Sequence, residues 1–312
     1  MKKFYLKLFD KNKYHFKKNE EKAKKNLAIY KDKIENKINN ILNDIDKSKV
    51  LNFKHSGHCG DIICSLPVIK ELAKTHECNF FINVNKKLPT PYFKHPSQKV
   101  YLDDRMFHLI KPLLKKQKYI NKIAKYNGEK INIDLDLFRE MPINLTFNSC
   151  RWFFHVTGIQ VDLSNPYLET DNATEIQNKV VIHRTFRYRN NLINYKFLQN
   201  YNDIFFIGLK NEYEDLKKEV KNLNFYECTD FLDMAKVINS SKMFIGNSSI
   251  GFDLAESLKI PRLLEASPDF PVMQISGKNG FDFYYQPHFE KWFKHLNEKF
   301  LKLFSFFYLV FE

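Results

Sequence analysis

Short apolar segments alternate with amphipathic segments through residues 49–270 of this 312-residue chain. The apolar segments have the length of strands and the amphipathic ones the length of helices, so the alternation predicts parallel sheets joined by helices. A linker, DLSNPYLETDNATEIQ at 162–177, interrupts this alternation, which continues after it. We therefore predict an α/β fold with two doubly wound Rossmann-like domains that face each other across a cleft, where ligands bind beyond the carboxyl ends of the strands.

The alternation divides the chain into four predicted segments. Residues 1–48 are rich in Lys and Asn, with helical apolar spacing, and predict a basic helical extension. Residues 49–170 and 171–285 are the two predicted domains, and 286–312 is an aromatic helix or tail. The predicted strands are 49–54, 79–85, 130–138, 179–186, 203–209, 242–247 and 261–266, and the predicted helices include 66–75, 104–124 and 251–259.

Composition narrows the class of protein and its location. The net charge is +14, but the excess of Lys is spread along the chain and no nucleic-acid-binding motif accompanies it, so we expect no nucleic acid partner. An anionic membrane surface is a contact that the basic charge and the aromatic tail allow. Five Cys without a CxxC pair favour a reducing compartment. With no signal peptide and no apolar run of 18 residues, the predicted location is the cytoplasm, or its membrane face.

The stretch HSGHCGD (55–61) joins the first predicted strand to a helix. Gly57 and Gly60 permit a tight turn and leave room for a ligand, with His58 between them at the acceptor side of the cleft. Asp61 stands where a general base could take the proton of an acceptor hydroxyl, although a helix cap also explains an Asp there. The histidines lack a second pair of metal ligands, so no metal is predicted. A nucleophilic role for Cys59 lacks an orienting third group.

The stretch GNSSIGFDLAESLKIP (246–261) places polar residues between a strand and a helix. Helix N-termini bind diphosphates, because their N–H groups are free and the helix dipole is positive there. Gly251 lets an anion approach the backbone, and an acid on the first turns, Asp253 or Glu256, could accept a ribose hydroxyl. The polar residues before the helix are Asn247, Ser248 and Ser249. The alternative is an ordinary cap by Ser249 with solvated acids.

Three arginines follow the first strand of the second domain, in IHRTFRYRNN (182–191). Guanidinium groups suit phosphate oxygens, so Arg184, Arg187 and Arg189 could stabilise a departing diphosphate. A solvated basic loop is the alternative.

Charged residues also end the third strand of the first domain, in INIDLDLFRE (131–140). Asp134 and Asp136 lie on one face of the predicted strand, so one of them could face the cleft, and Arg139 at the end of the strand could meet an acceptor. The alternative for the two acids is pairing with Lys at the sheet edge.

Three of these stretches resemble the signatures of glycosyltransferase family 9, the ADP-heptose:lipopolysaccharide heptosyltransferases and their relatives. GDIICSLPVIKEL resembles the first signature of that family, IDLDLF its "V-D-L-Q" strand, and DMAKVINSSKMFIGNSSIGFDLAESLKIP its second signature. The matches fall in the family's order over roughly residues 49–270. Ser248 and Asp253 stand where the family has Asp and His, so a heptose donor is not implied.

The resemblance implies a GT-B fold and inverting, metal-independent transfer of a sugar from a nucleotide-sugar, without a further cofactor. It implies Asp61 as the catalytic base, contacts of Ser248, Ser249 and Gly251 with the donor, and Arg187 or Arg189 near the phosphates. The expected acceptor is a hydroxyl of a surface glycan or glycolipid precursor. A nucleotide-sugar 2-epimerase-like enzyme, or a non-catalytic basic protein that binds glycan or nucleic acid, are the alternatives.

Overall fold

The computed structural model of the chain describes residues 7–89, 99–173 and 175–310, and the fold is α/β with two parallel sheets, as predicted. The strands are β1 (Val50–His55), β2 (Glu77–Ile82), β3 (Lys122–Lys125), β4 (Ile133–Asp134), β5 (Val180–His183), β6 (Ile204–Ile207), β7 (Asn224–Tyr226), β8 (Met243–Asn247), β9 (Arg262–Glu265) and β10 (Gly280–Phe283). The first sheet has the strand order β3-β2-β1-β4, and the second has the order β10-β9-β8-β5-β6-β7.

Helices connect the strands and cover the sheets. They are α1 (Lys11–Ile29), α2 (Glu35–Lys47), α3 (Cys59–Leu72), α4 (Asp104–Lys116), α5 (Cys150–Thr157), α6 (Lys210–Lys217), α7 (Phe231–Asn239), α8 (Ile250–Leu258) and α9 (Gln286–Val310). None of the helices in the described ranges is both long and apolar enough to cross a bilayer.

The two sheets are linked by a shared apolar interface. Helices α3 and α8 pack against each other, as do α4 and α7, and one continuous cluster of buried side chains runs through both pairs. Helix α3 follows β1 and helix α8 follows β8, so each begins at the carboxyl edge of its sheet. The interface therefore brings the N-termini of two helices from different sheets to the same side of the molecule.

The described part of the N-terminal stretch is mostly helical. Helix α1 buries no residue, a π-helical turn follows at Tyr30–Ile34, and the chain then packs on the body of the protein through Ile34 of that turn and Ile41 of α2. At the other end, α9 packs Phe289 and Phe293 against the second sheet. Residues 1–6 of the predicted extension and 311–312 of the predicted tail lie outside the described residues.

The prediction of a strand over 130–138 was wrong. Only Ile133–Asp134 pairs with β1, and Leu135–Arg139 forms a 3-10 turn, because the Asp134 side chain accepts the Asp136 N–H at 3.1 Å and turns the chain. That turn buries Asp136 and aims Arg139 back at the loop after β1.

The predicted limits of two helices were also wrong. The helix predicted over 104–124 ends at Lys116, and its last residues instead form β3 at the sheet edge. Helix α3 begins at Cys59 rather than at residue 66, which places Asp61 in its first turn.

Candidate active site

The junction between β1 and α3 needs Gly57 in the loop and Gly60 in the first turn of the helix. Gly57 has a φ of +100°, and a Cβ there would lie 2.7 Å from the Cβ of Leu102. A Cβ on Gly60 would lie 2.5 Å from Oδ2 of Asp253 on α8, so Gly60 allows the two helices to meet. The sequence predicted these glycines as room for a ligand; in the described structure they make room for neighbouring protein atoms.

The Asp61 carboxylate lies at the N-terminus of α3 and is partly exposed. Its Oδ2 atom accepts the His58 N–H at 3.3 Å, which caps the helix, and also accepts an N–H of Arg139 at 2.8 Å. Among the described residues, none donates a hydrogen bond to Oδ1. Capping therefore occupies only one of the two oxygens, and the other is available to a ligand.

Arg139 links the Asp61 carboxylate to a second, buried carboxylate. Its guanidinium donates to Asp61, to Asp136 and to the carbonyl of Gly57. Asp136 is 4% exposed and also accepts hydrogen bonds from Ser56 and Lys86. Burial favours the neutral form of Asp136, but His55, Arg139 and the Ser56 hydrogen bond outweigh burial and lower its pKa.

His55, at the end of β1, also stabilises the loop that contains Gly57. Its Nδ1 accepts the Gly57 N–H at 2.9 Å, and burial lowers its pKa to about 4, so the ring is neutral at neutral pH. The proton of the neutral ring then sits on Nε2, which is buried without a hydrogen-bond partner, and the ring packs beside Phe138 and Phe153.

The loop between β8 and α8 is fixed by its own side chains. Asn247 is fully buried, accepts the Thr185 N–H at 3.0 Å and donates to the carbonyls of Thr185 and Arg187 at 2.9 and 2.7 Å. The Ser249 hydroxyl lies 2.9 Å from Nδ1 of His183, and a Cβ on Gly251 would lie 2.5 Å from that same nitrogen. Asn247 and Gly251 therefore shape the backbone. Ser249 occupies the N-cap position of α8, but its hydroxyl donates to the Asn247 carbonyl at 3.0 Å rather than capping the helix.

The structure separates the three predicted arginines. Arg184 is 4% exposed and forms a two-pronged ion pair with Glu265, at 2.7 and 2.9 Å. Arg189 pairs with Asp215 at 2.6 Å. Arg187 is exposed, and within the described part of the chain its guanidinium has no hydrogen bond or ion pair. Of the three, Arg187 is the one whose charge is available to a ligand.

The charge of Arg187 acts on the start of α3. Burial lowers the pKa of His58, the Asp61 carboxylate opposes that shift, and the positive charges of Arg139 and Arg187 add to it. Oδ1 of Asp61 and the guanidinium of Arg187, neither of which has a hydrogen-bond partner among the described residues, thus both lie near His58.

Sequence reasoning missed Glu212, in the first turn of α6. One carboxylate oxygen accepts the Phe186 N–H at 3.1 Å, and the other is buried without a hydrogen-bond partner. Burial raises its pKa. The sequence contained a signal for Glu212. Like Asp61, it is an acidic residue in the first turn of a helix that follows a strand.

Asp253 does not face solvent as a ribose ligand would. It is buried against α3, where the Cys64 thiol donates to Oδ1 at 3.4 Å. Burial, with the charges of Asp61 and Glu256, raises its pKa to about 8. Glu256 is held by Arg262, with 2.5 Å between Nε and Oε2, and by Lys259. Within the described residues, no group of three or more His, Cys, Asp or Glu side chains is arranged to bind a metal.

The pKa of Asp253 predicts a change of stability with pH. The native carboxyl stays protonated up to about pH 8, whereas an unfolded Asp ionises near pH 4, so the free energy of unfolding falls as pH rises between those values. His55 and His183 have pKa values of about 4 in the folded protein, so they change the free energy of unfolding with pH only below about pH 6.5. In urea unfolding between pH 6.5 and 8, the wild-type protein should lose stability relative to Asp253→Asn. If the free energy of unfolding changes with pH by the same amount in the two proteins, this assignment is wrong.

Comparisons with known proteins agree with the fold. No protein-family model matches the sequence, and no curated protein matches it significantly. Among solved structures, a glycosyl transferase of family 9 from Veillonella parvula has a TM-score of 0.52 at 11% identity, covering 76% of this chain and 86% of that one. The likeness at this identity concerns the fold: the chain shares the GT-B-like arrangement of two parallel α/β sheets.

Two further structures are similar at lower scores. The iron-containing dodecameric glycosyltransferase TibC from enterotoxigenic E. coli has a TM-score of 0.48 at 12% identity, covering 74% of this chain and 61% of that one. E. coli heptosyltransferase WaaC with ADP has a TM-score of 0.42 at 12% identity, covering 74% and 92%.

Proposed function

We propose that the protein is an inverting glycosyltransferase that moves a sugar from a nucleotide-sugar to an acceptor hydroxyl. The observation that carries the proposal is that Asp61 and Arg187, two groups of opposite charge, both lie close enough to His58 to act on its charge. Within the described residues, Oδ1 of Asp61 and the guanidinium of Arg187 have no hydrogen-bond partner. Asp61 lies in the first turn of α3 and Arg187 on the loop after β5, each at the carboxyl edge of its own parallel sheet. These are the two groups that a displacement at an anomeric carbon requires.

In the proposed reaction, the acceptor oxygen attacks the anomeric carbon and Asp61 takes the hydroxyl proton. The bond between that carbon and the phosphate oxygen breaks, and its electron pair leaves with the nucleoside diphosphate. Arg187 and the N-terminus of α8, which begins beside Ser249, neutralise the charge that develops on the diphosphate. A single displacement inverts the anomeric centre. The guanidinium and the helix end supply the positive charge, so the proposed reaction uses neither a metal ion nor a cofactor.

The remaining predicted residues fit the two sides of this site. Ser248 and Ser249 lie at the entry to α8, on the donor side. Arg184, Arg189 and Asn247 act indirectly, by holding the loop that carries Arg187. Gly57, His58, Gly60 and Arg139 shape the acceptor side.

We propose a hydroxyl of a surface glycan or glycolipid precursor as the acceptor. The net charge of +14 supports a cytoplasmic enzyme that works beside an anionic membrane surface, where such precursors are assembled. An epimerase-like enzyme would use the same donor loop without an acceptor. Its product would be a rearranged nucleotide-sugar rather than a free nucleoside diphosphate, and the two are distinguished by NMR of the reaction mixture.

Nucleotide binding tests the donor side. We expect one nucleoside diphosphate among ADP, UDP, GDP and CDP to raise the melting temperature selectively, because a ligand of the folded state stabilises by about 2.7 kcal/mol at 100 times its Kd. Arg187→Ala should weaken that nucleotide by roughly 10–100-fold, the value of a charge-assisted hydrogen bond. Arg105→Ala, an exposed arginine on α4, is the matched control and should bind normally. If no nucleotide stabilises the protein, a non-catalytic role is favoured.

A further inference from the structure

Asp136 is a buried carboxylate that the proposed reaction does not use directly. It accepts hydrogen bonds from the backbone N–H and hydroxyl of Ser56, from Lys86 at 3.0 Å, and from Arg139. Its pKa is held below the ordinary value of an Asp, so it keeps its negative charge. A buried carboxylate that accepts this many hydrogen bonds has a fixed position, and it can therefore orient the side chains that donate to it.

The guanidinium of Arg139 is fixed in three directions. Its central carbon lies 4.4 Å from the ring centres of both Tyr101 and Phe138. One terminal nitrogen donates to Asp136, and the other donates to Asp61 and to the carbonyl of Gly57. The planar fork of an arginine makes such simultaneous contacts, whereas a lysine, with a single ammonium, cannot.

We propose that Asp136 and Arg139 are positioning residues that aim Oδ1 of Asp61 at the acceptor hydroxyl. The inference rests on the proposed function. Arg139 and the His58 N–H both bind Oδ2 and therefore fix the plane of the carboxylate, which leaves Oδ1 as the oxygen that takes the proton. The same guanidinium holds the Gly57 carbonyl, so the base and the loop that carries it are set by one group.

The kinetic test is a double-mutant cycle between Arg139 and Asp61. Arg139→Ala should lower kcat by roughly 100-fold with the donor KM unchanged, since a misplacement of a catalytic group by about 1 Å has this effect. If Arg139 acts through Asp61, the same change in an Asp61→Asn background should alter kcat by less than about 2-fold. Equal losses in the two backgrounds would overturn the proposal. Arg105→Ala on α4 is the matched control.

Conservative and rescued variants separate positioning from general stability. Arg139→Lys keeps the charge but not the fork, so it should remain well below the wild type in kcat. Millimolar guanidinium should restore part of the kcat of Arg139→Ala and none of that of Asp61→Asn. Should Arg139→Ala fail to fold, Asp136→Asn tests the same alignment, because it keeps the shape of the side chain and removes the charge that anchors Arg139.

A readout without activity distinguishes this proposal from the proposed function. Amide hydrogen exchange in a peptide that covers residues 57–61 should be faster in Arg139→Ala than in the wild type, because Arg139 holds the Gly57 carbonyl and the carboxylate that binds the His58 N–H. Unchanged exchange would overturn the positioning role even if the wild type is an active transferase. Faster exchange in a protein that transfers no sugar would support the alignment and refute the proposed function.

Discussion

Asp61→Asn is expected to lower the turnover of the proposed transferase by roughly 10²–10⁴-fold, the range in which general base catalysis contributes. An amide has nearly the shape of the carboxylate, so the contact with Arg139 at the Oδ2 position and the helix cap can persist. The ability to take a proton is lost. The measurement is the rate of nucleoside diphosphate release with the donor identified by thermal shift and a saturating acceptor.

Two comparisons make this expectation specific. Nucleotide affinity should be the same in Asp61→Asn and the wild type, because Asp61 belongs to the acceptor side of the cleft. Asp171→Asn, which changes an exposed ion pair with Lys116 on the surface, should keep the wild-type turnover. Full turnover by Asp61→Asn would eliminate Asp61 as the base, and the loop would then be explained by helix capping.

The alternation of strands and helices was sufficient to predict the fold, because buried parallel strands read as short apolar runs whatever lies next to them. The same pattern failed at the edges of the first sheet. Strand β3 carries Lys122 and Lys125, both exposed, and so did not read as a strand. The segment after β4 was predicted as a strand, but a local hydrogen bond from the Asp136 N–H to the Asp134 side chain turns it into a 3-10 helix.

The sequence predicted which segments carry the candidate residues but not which of those residues are paired. Asp61, the start of α8 and the arginine loop each follow a strand, so they lie at the carboxyl edges of the two sheets. Which arginine is available depends on partners distant in sequence: Glu265 lies 81 residues from Arg184, and Asp215 lies 26 from Arg189. No local spacing reports such pairs. Arg139 likewise reaches Asp61 across 78 residues.

The different burial of the arginines has a large expected consequence for stability. Arg184→Ala should lower the free energy of unfolding by about 3–5 kcal/mol, because it leaves the fully buried Glu265 carboxylate without its cation. For a chain of this size the melting temperature should fall by roughly 10 °C. Arg187→Ala removes an exposed side chain and should change the free energy of unfolding by no more than about 0.5 kcal/mol. Urea unfolding of the two variants gives the comparison.

A further pair of variants identifies the cause of the loss. Glu265 also accepts hydrogen bonds from the Asn190 N–H on Oε1 at 2.7 Å and from the Tyr195 hydroxyl on Oε2 at 2.8 Å. In a Gln, the amide oxygen can still accept the Asn190 N–H, and the Tyr195 hydroxyl can accept an N–H of the amide. Arg184→Met with Glu265→Gln should therefore be more stable than Arg184→Met alone, since the double variant contains no unpaired buried charge. If the double variant is the less stable of the two, the cost of Arg184→Ala comes from lost packing on Tyr195. If Arg184→Ala is as stable as Arg187→Ala, the assignment of Arg184 to a stabilising buried ion pair is wrong. Arg184 would then again be a candidate phosphate ligand.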